Sequence, residues 1–118
     1  MEVFDIQKND WVYDQWKEAR EMEDTLVIMM TGRIKKLEPH VKAILEKHGM
    51  EFDRYYFNFG GTTLSFKIKV FESLLDEFKN TEDLTMYDDR VEHIGPFMRW
   101  GEMIKKTKGI KVNVIQVL

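Results

Sequence analysis

The stretch Leu84–Phe97, LTMYDDRVEHIGPF, puts two adjacent carboxylates, an arginine and a histidine directly after a short apolar run. Asp88, Asp89, Arg90 and His93 therefore issue from the end of what reads as a buried strand. Two further positions share that placing. Thr31 follows the apolar run 25–30, TLVIMM, and Lys67 falls in the first turns of a helical pattern that begins after Gly60-Gly61. A hydroxyl, an ammonium and a carboxylate pair suit a phosphate ester held with a divalent cation. The Thr31 hydroxyl and the backbone N–H groups at Thr31-Gly32 would bind phosphate oxygens, and Lys67 would offset negative charge. Asp88 and Asp89 would hold Mg²⁺ through hard oxygen ligands. Two carboxylates about 4 Å apart at an effective dielectric near 20 repel by roughly 4 kcal/mol, a repulsion that a bound cation reverses.

Each of these residues also has a purely structural reading. Asp89-Arg90-Val91-Glu92 has capping-box spacing, with Asp89 in the cap role. Thr31 beside Gly32 suits a turn, Lys67 suits a solvated helix face, and His93 suits helix packing or helix surface. Consecutive strand residues point to opposite faces, so Asp88 and Asp89 share a site only if the strand ends between them. No His or Cys spacing resembles a zinc site, and the chain has no Gly-Lys-Ser/Thr phosphate loop.

The elements that position these groups emerge from periodicity. Residues 25–30 predict a strand buried on both faces, as in a parallel sheet, ended by a turn at Thr31-Gly32. Pro39 opens a helix with Val41, Ile44 and Leu45 inward, and Gly49 stops it. Arg54–Asn58 is strand-like. Thr62 or Thr63 caps a helix whose core face is Phe66, Val70, Leu74 and Phe78, with Phe71 and Leu75 beside it. The strand at 84–87 leads to a helix from Val91 to Lys106, with Ile94, Phe97, Met98, Met103 and Ile104 inward. Ile110–Leu118 forms the last strand. Asn9 or Asp10 caps an opening helix carrying Val12, Trp16 and Ala19, and the eight methionines are assigned mostly to core stripes. Strands alternating with helices predict a single α/β domain over residues 1–118, three-layered and Rossmann-like, with a mainly parallel sheet flanked by helices. Ligands of such sheets bind outside the carboxyl ends of the strands, where Thr31, Asp88 and Asp89 lie.

Composition limits the alternatives. A chain of 118 residues can bury a core without staples. With no cysteine it has neither disulfides nor thiolate chemistry, which suits a reducing, cytoplasmic setting. There is no apolar run of membrane-spanning length and no secretory leader pattern. The formal charge of −3 gives no overall electrostatic pull toward nucleic acid, and the basic clusters at 33–36 and 105–108 read as solvated faces.

In order, VIMMTGR (27–33), TLSFK (63–67) and MYDDRVEHIGPF (86–97) resemble the second, third and fourth motifs of the haloacid dehalogenase (HAD) superfamily of phosphohydrolases. The likeness is nearest to the HAD domain of Swiss-Army-knife RNA-repair proteins and to the phosphatase domain of phage polynucleotide kinases. The segment 11–33 resembles the approach to the second motif. The resemblance implies a HAD-like fold without a cap domain. It also implies that Thr31 binds the transferring phosphoryl group, Lys67 steadies nucleophile and phosphate, and Asp88 with Asp89 holds Mg²⁺. Arg90 and His93 match the local pattern without an assigned role.

The family's first motif is an apolar strand ending in Asp-x-Asp, nucleophile and then general acid–base. Here only Met1–Gln7, MEVFDIQ, is available, with Asp5 at the nucleophile position and Gln7 where the acid should be. Either this motif is degenerate or it lies outside the chain. Correspondingly, the central slot of the sheet is filled by residues 2–6, closed by its neighbours, or supplied by another chain. Two functions are compatible with this pattern. One is a catalytically impaired HAD-like domain that binds a ligand or a partner protein, with Trp11, Trp16 and Trp100 as candidate anchors. The other is an active Mg²⁺-dependent phosphatase acting on a nucleotide or a nucleic-acid-end phosphate ester.

Overall fold

Strand and helix alternate in the computed structural model, which describes residues 1–4, 10–34, 38–58 and 61–117. The elements are β1 (Glu2–Phe4), α1 (Asp10–Glu21), β2 (Val27–Ile34), α2 (Glu38–Lys47), β3 (Arg54–Asn58), α3 (Thr63–Glu77), β4 (Asp83–Asp88), α4 (Val91–Lys108) and β5 (Lys111–Gln116). The five strands form one sheet in the order β3-β2-β1-β4-β5, and every pairing is parallel. This is the Rossmann-like three-layer arrangement that the alternation predicts, with only residues 5–9 between β1 and α1.

The central slot is filled by the chain's own first strand. Val3 pairs with Ile28 on one side and Met86 on the other, and Phe4 pairs with Met29 and Tyr87. Short as it is, β1 is anchored on both faces. Val3 enters the core beneath α3 and α4 with Ile28, Met30, Leu84, Met86, Phe71 and Phe97. Phe4 enters the core beneath α1 and α2 with Val12, Trp16, Met29, Val41 and Tyr87. The Phe4 and Tyr87 rings stack with centroids 4.4 Å apart. The amide of Glu2 bonds to the Leu26 carbonyl, and the amide of Thr85 bonds to the Met1 carbonyl. The stretches of β2 and β4 that lie opposite β1 are thus paired through it, as buried amides require.

The local signals act largely as expected. Thr62 caps α3, its hydroxyl accepting the Ser65 N–H at 3.2 Å. Gly49 takes φ +69° just after α2, where a side chain would be strained. Several expectations are corrected. β2 does not turn at Thr31-Gly32 but continues to Ile34, with a register step against β3 between Thr31 and Ile34. β4 includes Asp88, which pairs with Gln116, so the strand ends between the two aspartates. The N-cap of α4 is Arg90, without a side-chain cap bond, and not Asp89. The expected cap Asn9 lies outside the described residues, and α1 begins at Asp10. Ile44, Met98 and Met103 are exposed, and the buried stripe of α3 is Lys67, Phe71, Leu74 and Leu75. Of the eight methionines, Met29, Met30 and Met86 are buried, whereas Met22, Met98 and Met103 are exposed. Trp16 and Trp100 are packed residues whose indole N–H groups donate to the Glu51 carbonyl and to Glu72, while Trp11 is half-exposed. No helix of the described residues is long and apolar enough to cross a membrane.

α4 lies so close over β5 that a Cβ on Gly101 would meet Val112 Cβ and Cγ1 at 3.0 Å. Overpacking costs roughly 1–3 kcal/mol, against about 1 kcal/mol of helix propensity gained from Gly to Ala. Gly101→Ala is therefore expected to destabilise the fold by ~1 kcal/mol in urea unfolding. A coupling cycle with Val112→Ala should recover only part of that loss, because it removes the Cγ1 contact and leaves the Cβ contact at 3.0 Å.

Candidate functional site

The site begins with the topology. β1 leads to α1 on one face of the sheet, and β4 leads to α4 on the other, so the chain departs in opposite directions from the carboxyl ends of two adjacent strands. That divergence opens the crevice in which doubly wound sheets bind ligands. Asp88 is the last residue of β4 and lies one position beyond the Phe4–Tyr87 pair. The pleat sends Tyr87 under α1 and Asp88, like Met86, toward α3 and α4.

Asp88 meets Lys67 there. The Lys67 Nζ donates to Asp88 Oδ2 at 2.6 Å, and both side chains are 3% exposed. The helix stripe of α3 explains the encounter. Lys67 stands one turn before Phe71, on the face that also carries Leu74 and Leu75, so it extends an apolar stripe and ends it with a charge over the sheet's carboxyl edge. Asp88 Oδ1 accepts the backbone N–H of Arg90 at 2.8 Å, which ties the carboxylate to the start of α4. His93, in the first turn of α4, is also buried, with Nδ1 3.6 Å from Asp88 Oδ2. A cavity of about 10 Å³ lies beside the pair, lined by Lys67 and Asp88 together with Val3, Met30 and Phe97. Its volume is about the smallest that admits one water.

The other expected site residues are distributed along the same edge. Thr31 is buried near the carboxyl end of β2, two positions beyond the Phe4–Met29 pair. Its partner in register, Phe57, belongs to the core under α1 and α2, so the pleat turns Thr31 toward that layer, away from the Lys67–Asp88 side. Gly32 lies in the register step between Thr31 and Ile34, the kind of irregularity that re-aims a strand end. Asp89 is exposed and does not share the burial of Asp88. Arg90 is exposed as well. Asp5 and Gln7 lie outside the described residues. The structure thus joins Lys67, Asp88 and His93 directly and sets Thr31 and Gly32 along the same edge. Sequence reasoning assigned His93 no role; the available signal was its place one turn into a helix that starts just after Asp88.

A fit for Mg²⁺ can be judged from the donors. Among the described residues no three acidic, histidine or cysteine side chains converge into a metal-holding group. Mg²⁺, however, commonly keeps several waters and takes one or two carboxylates plus phosphate oxygens. Asp88 is a hard oxygen donor with lone pairs beyond those used by Lys67 and Arg90. The donor set therefore fits a cation shared with a phosphate. A larger hollow of about 820 Å³ opens at the opposite, amino edge. Glu2, Asp24, Glu77, Glu82 and Asp83 line it against Lys79, an acidic surround that repels phosphate.

Tyr87 closes the other side of the strand end. Its hydroxyl donates to Glu2 Oε1 at 3.0 Å, and burial followed by the Glu2 carboxylate pushes its pKa well above the ordinary value of 10.0. The unfolded chain releases this proton near its ordinary value while the folded one retains it. The group's contribution to stability is therefore full below about pH 10 and is lost as pH rises toward the folded value. Tyr87→Phe should cost about 1 kcal/mol near neutrality and flatten the alkaline loss of stability above pH 10, read by urea unfolding against pH.

A buried ion pair broken on one side leaves an uncompensated charge and costs roughly 3–5 kcal/mol, whereas replacing both partners by apolar groups is often neutral or stabilising. Lys67→Met alone and Asp88→Leu alone should each destabilise on that scale. The double variant should recover most of the loss in chemical denaturation.

The chain matches the family model described as HAD domain family 1 in Swiss Army Knife RNA repair proteins over residues 5–118. No solved structure matches it.

Proposed function

We propose, because the chain belongs to HAD domain family 1 of Swiss Army Knife RNA repair proteins, that it is a phosphate-ester-binding domain of phosphohydrolase ancestry whose chemical step is slow for want of a general acid. The observation that carries this reading is the buried Lys67–Asp88 pair at the divergence of β1 and β4. Such a pair is weakly justified by stability alone, since an apolar replacement would serve the core as well. It is well suited to a ligand that adds both an anion and a cation. Lys67 would share its ammonium with a phosphate oxygen, and Asp88, with Asp89 beside it in the family's pattern, would hold Mg²⁺. When bound, Mg²⁺ would supply neutralisation of charge on the phosphoryl oxygens. Thr31 and Gly32 would bind phosphate from the β2 edge.

Asp5 is the residue next in the chain after Phe4, the last of the central strand. In the family's chemistry its carboxylate attacks phosphorus and the ester P–O bond breaks, its electron pair going to the leaving oxygen. That oxygen needs a proton. The Gln7 amide has none to give, so the proton must come from water, at a cost of typically about 10²–10⁴-fold in rate. Water then attacks the aspartyl phosphate, releasing inorganic phosphate and restoring the carboxylate. Only residues 5–9 separate β1 from α1, which leaves no room for a cap insertion at that point. An open edge favours a large substrate, and a nucleic-acid end carrying a 3′-phosphate is the class that the family's RNA-repair setting suggests.

The test is calorimetric binding of a 3′-phosphorylated oligonucleotide and of inorganic phosphate, with and without Mg²⁺, alongside phosphate release. Expected are Mg²⁺-dependent binding, loss of that binding in folded Asp88→Asn, slow release, and a gain of about 10²-fold or more in Gln7→Asp. Absence of phosphate and Mg²⁺ binding would overturn the reading. Robust turnover by the unaltered chain would make it an active phosphatase instead.

A further inference from the structure

His93 is 6% exposed, and its Nδ1 is wholly buried with no hydrogen-bond partner among the described residues. The ring is held by packing, edge-on to Phe97 one turn later with centroids 5.6 Å apart, and by the start of α4, where the His93 backbone N–H bonds to the Arg90 carbonyl. Held so, Nδ1 faces Asp88 Oδ2 at 3.6 Å. We propose that His93 is a positioning residue for Asp88, carrying a proton on Nδ1 and directing that N–H at Oδ2.

The argument is one of complementary groups in a dry place. Without a proton on Nδ1, a nitrogen lone pair sealed from solvent would face an oxygen of a carboxylate only 3% exposed, and buried polar atoms are rarely left so. With the proton on Nδ1, a donor faces an acceptor. The separation is a few tenths of an ångström beyond hydrogen-bond range, and such contacts in unliganded sites tighten when the ligand arrives. The ligand itself supplies a reason for tightening. Lys67 now occupies Oδ2 at 2.6 Å. When its ammonium is drawn toward a phosphate oxygen as well, its bond to Oδ2 weakens without being lost, and the His93 N–H closes on the second lone pair of Oδ2.

The consequence concerns the metal. A carboxylate offers about four lone-pair positions. Lys67 and the Arg90 N–H take two, and His93 takes a third, leaving one for a cation. Asp88 would therefore bind Mg²⁺ through a single oxygen, in a direction fixed by its three donors. This consequence rests on the phosphate-site reading above, whereas the ring proton does not.

The experiment has two arms. In ¹⁵N-labelled protein, long-range ¹H–¹⁵N spectra identify which ring nitrogen of His93 is protonated, with assignment by loss of the signal in His93→Asn. A protonated Nδ1 is expected, and a bare Nδ1 overturns the proposal. In the second arm, Mg²⁺ affinity is measured by calorimetry for the unaltered chain, for His93→Asn, which keeps an N–H donor near the Nδ1 position, and for His93→Phe, which keeps the ring volume without a donor. Expected is a loss of about 10-fold or more in His93→Phe and recovery of most of it in His93→Asn, the range typical of groups that orient a metal ligand. Equal affinity in folded His93→Phe and the unaltered chain overturns the positioning role. If the unaltered chain binds no Mg²⁺, the phosphate-site reading fails, and the protonation of Nδ1 still decides the claim about His93.

Discussion

The ion pair between Lys67 and Asp88 is the constraint around which this fold is organised at the carboxyl edge of its sheet. Two opposite charges, each 3% exposed, are withdrawn from water and set against one another. Withdrawal on that scale is tolerable only with good geometry and further hydrogen bonds to the remaining lone pairs. The structure supplies both. Asp88 is fixed by its strand through Gln116 and by the start of α4 through the Arg90 N–H, and Lys67 is fixed by a helix stripe that aims its ammonium at the carboxyl edge. α3 and α4 are thereby docked by polar as well as apolar contact at the end where a ligand would enter.

The same edge depends on a strand of three residues. β1 contributes little area, yet it sits between β2 and β4 and sends one side chain into each core layer. Without it, two rows of backbone groups would face an empty slot. With it, the divergence of α1 and α4 falls between β1 and β4, and Asp88 lies at that divergence. The Phe4–Tyr87 stack reinforces the arrangement on the α1 side, and the Tyr87–Glu2 hydrogen bond ties the first strand to the fourth across the sheet.

Much of this was legible in the sequence because the signals are local. TLVIMM and LTMY are apolar on both faces, and Thr62 and Gly49 are placed where caps and stops belong. The ordered motifs pointed to the family. The parts that were not legible depend on rotation about a helix axis. Phe66, Val70, Leu74 and Phe78 have i+4 spacing, and so do Lys67, Phe71 and Leu75 one step round. Propensity cannot choose between two apolar stripes that overlap, and a lysine counts against burial until its carboxylate is known. The packing of α3 on β2 and β3 settled the choice and carried Lys67 inside. Met98 and Met103 were misplaced for the same reason: on α4 the buried set is His93, Phe97, Trp100, Gly101 and Ile104, and a close approach through Gly101 has no hydrophobic signature. The extent of β2 was missed because Thr-Gly reads as a turn, while pairing to Phe57 and Asn58 extends the strand past it.

The pleat explains why the expected constellation is divided between two layers. Thr31 and Phe4 belong to the α1 side, Asp88 and Val3 to the α3 side, because register leaves each residue only one face. A site drawn from both layers can converge only past the last ladder bond, where strands have ended and side chains are released from alternation. β4 ends at Asp88, and β2 steps out of register after Thr31. Thr31 and Asp88 thus lie at or near the points where the sheet stops dictating direction. A phosphate seated above that edge is the kind of ligand that spans both layers, since its oxygens point several ways at once and each layer can present a different donor to it.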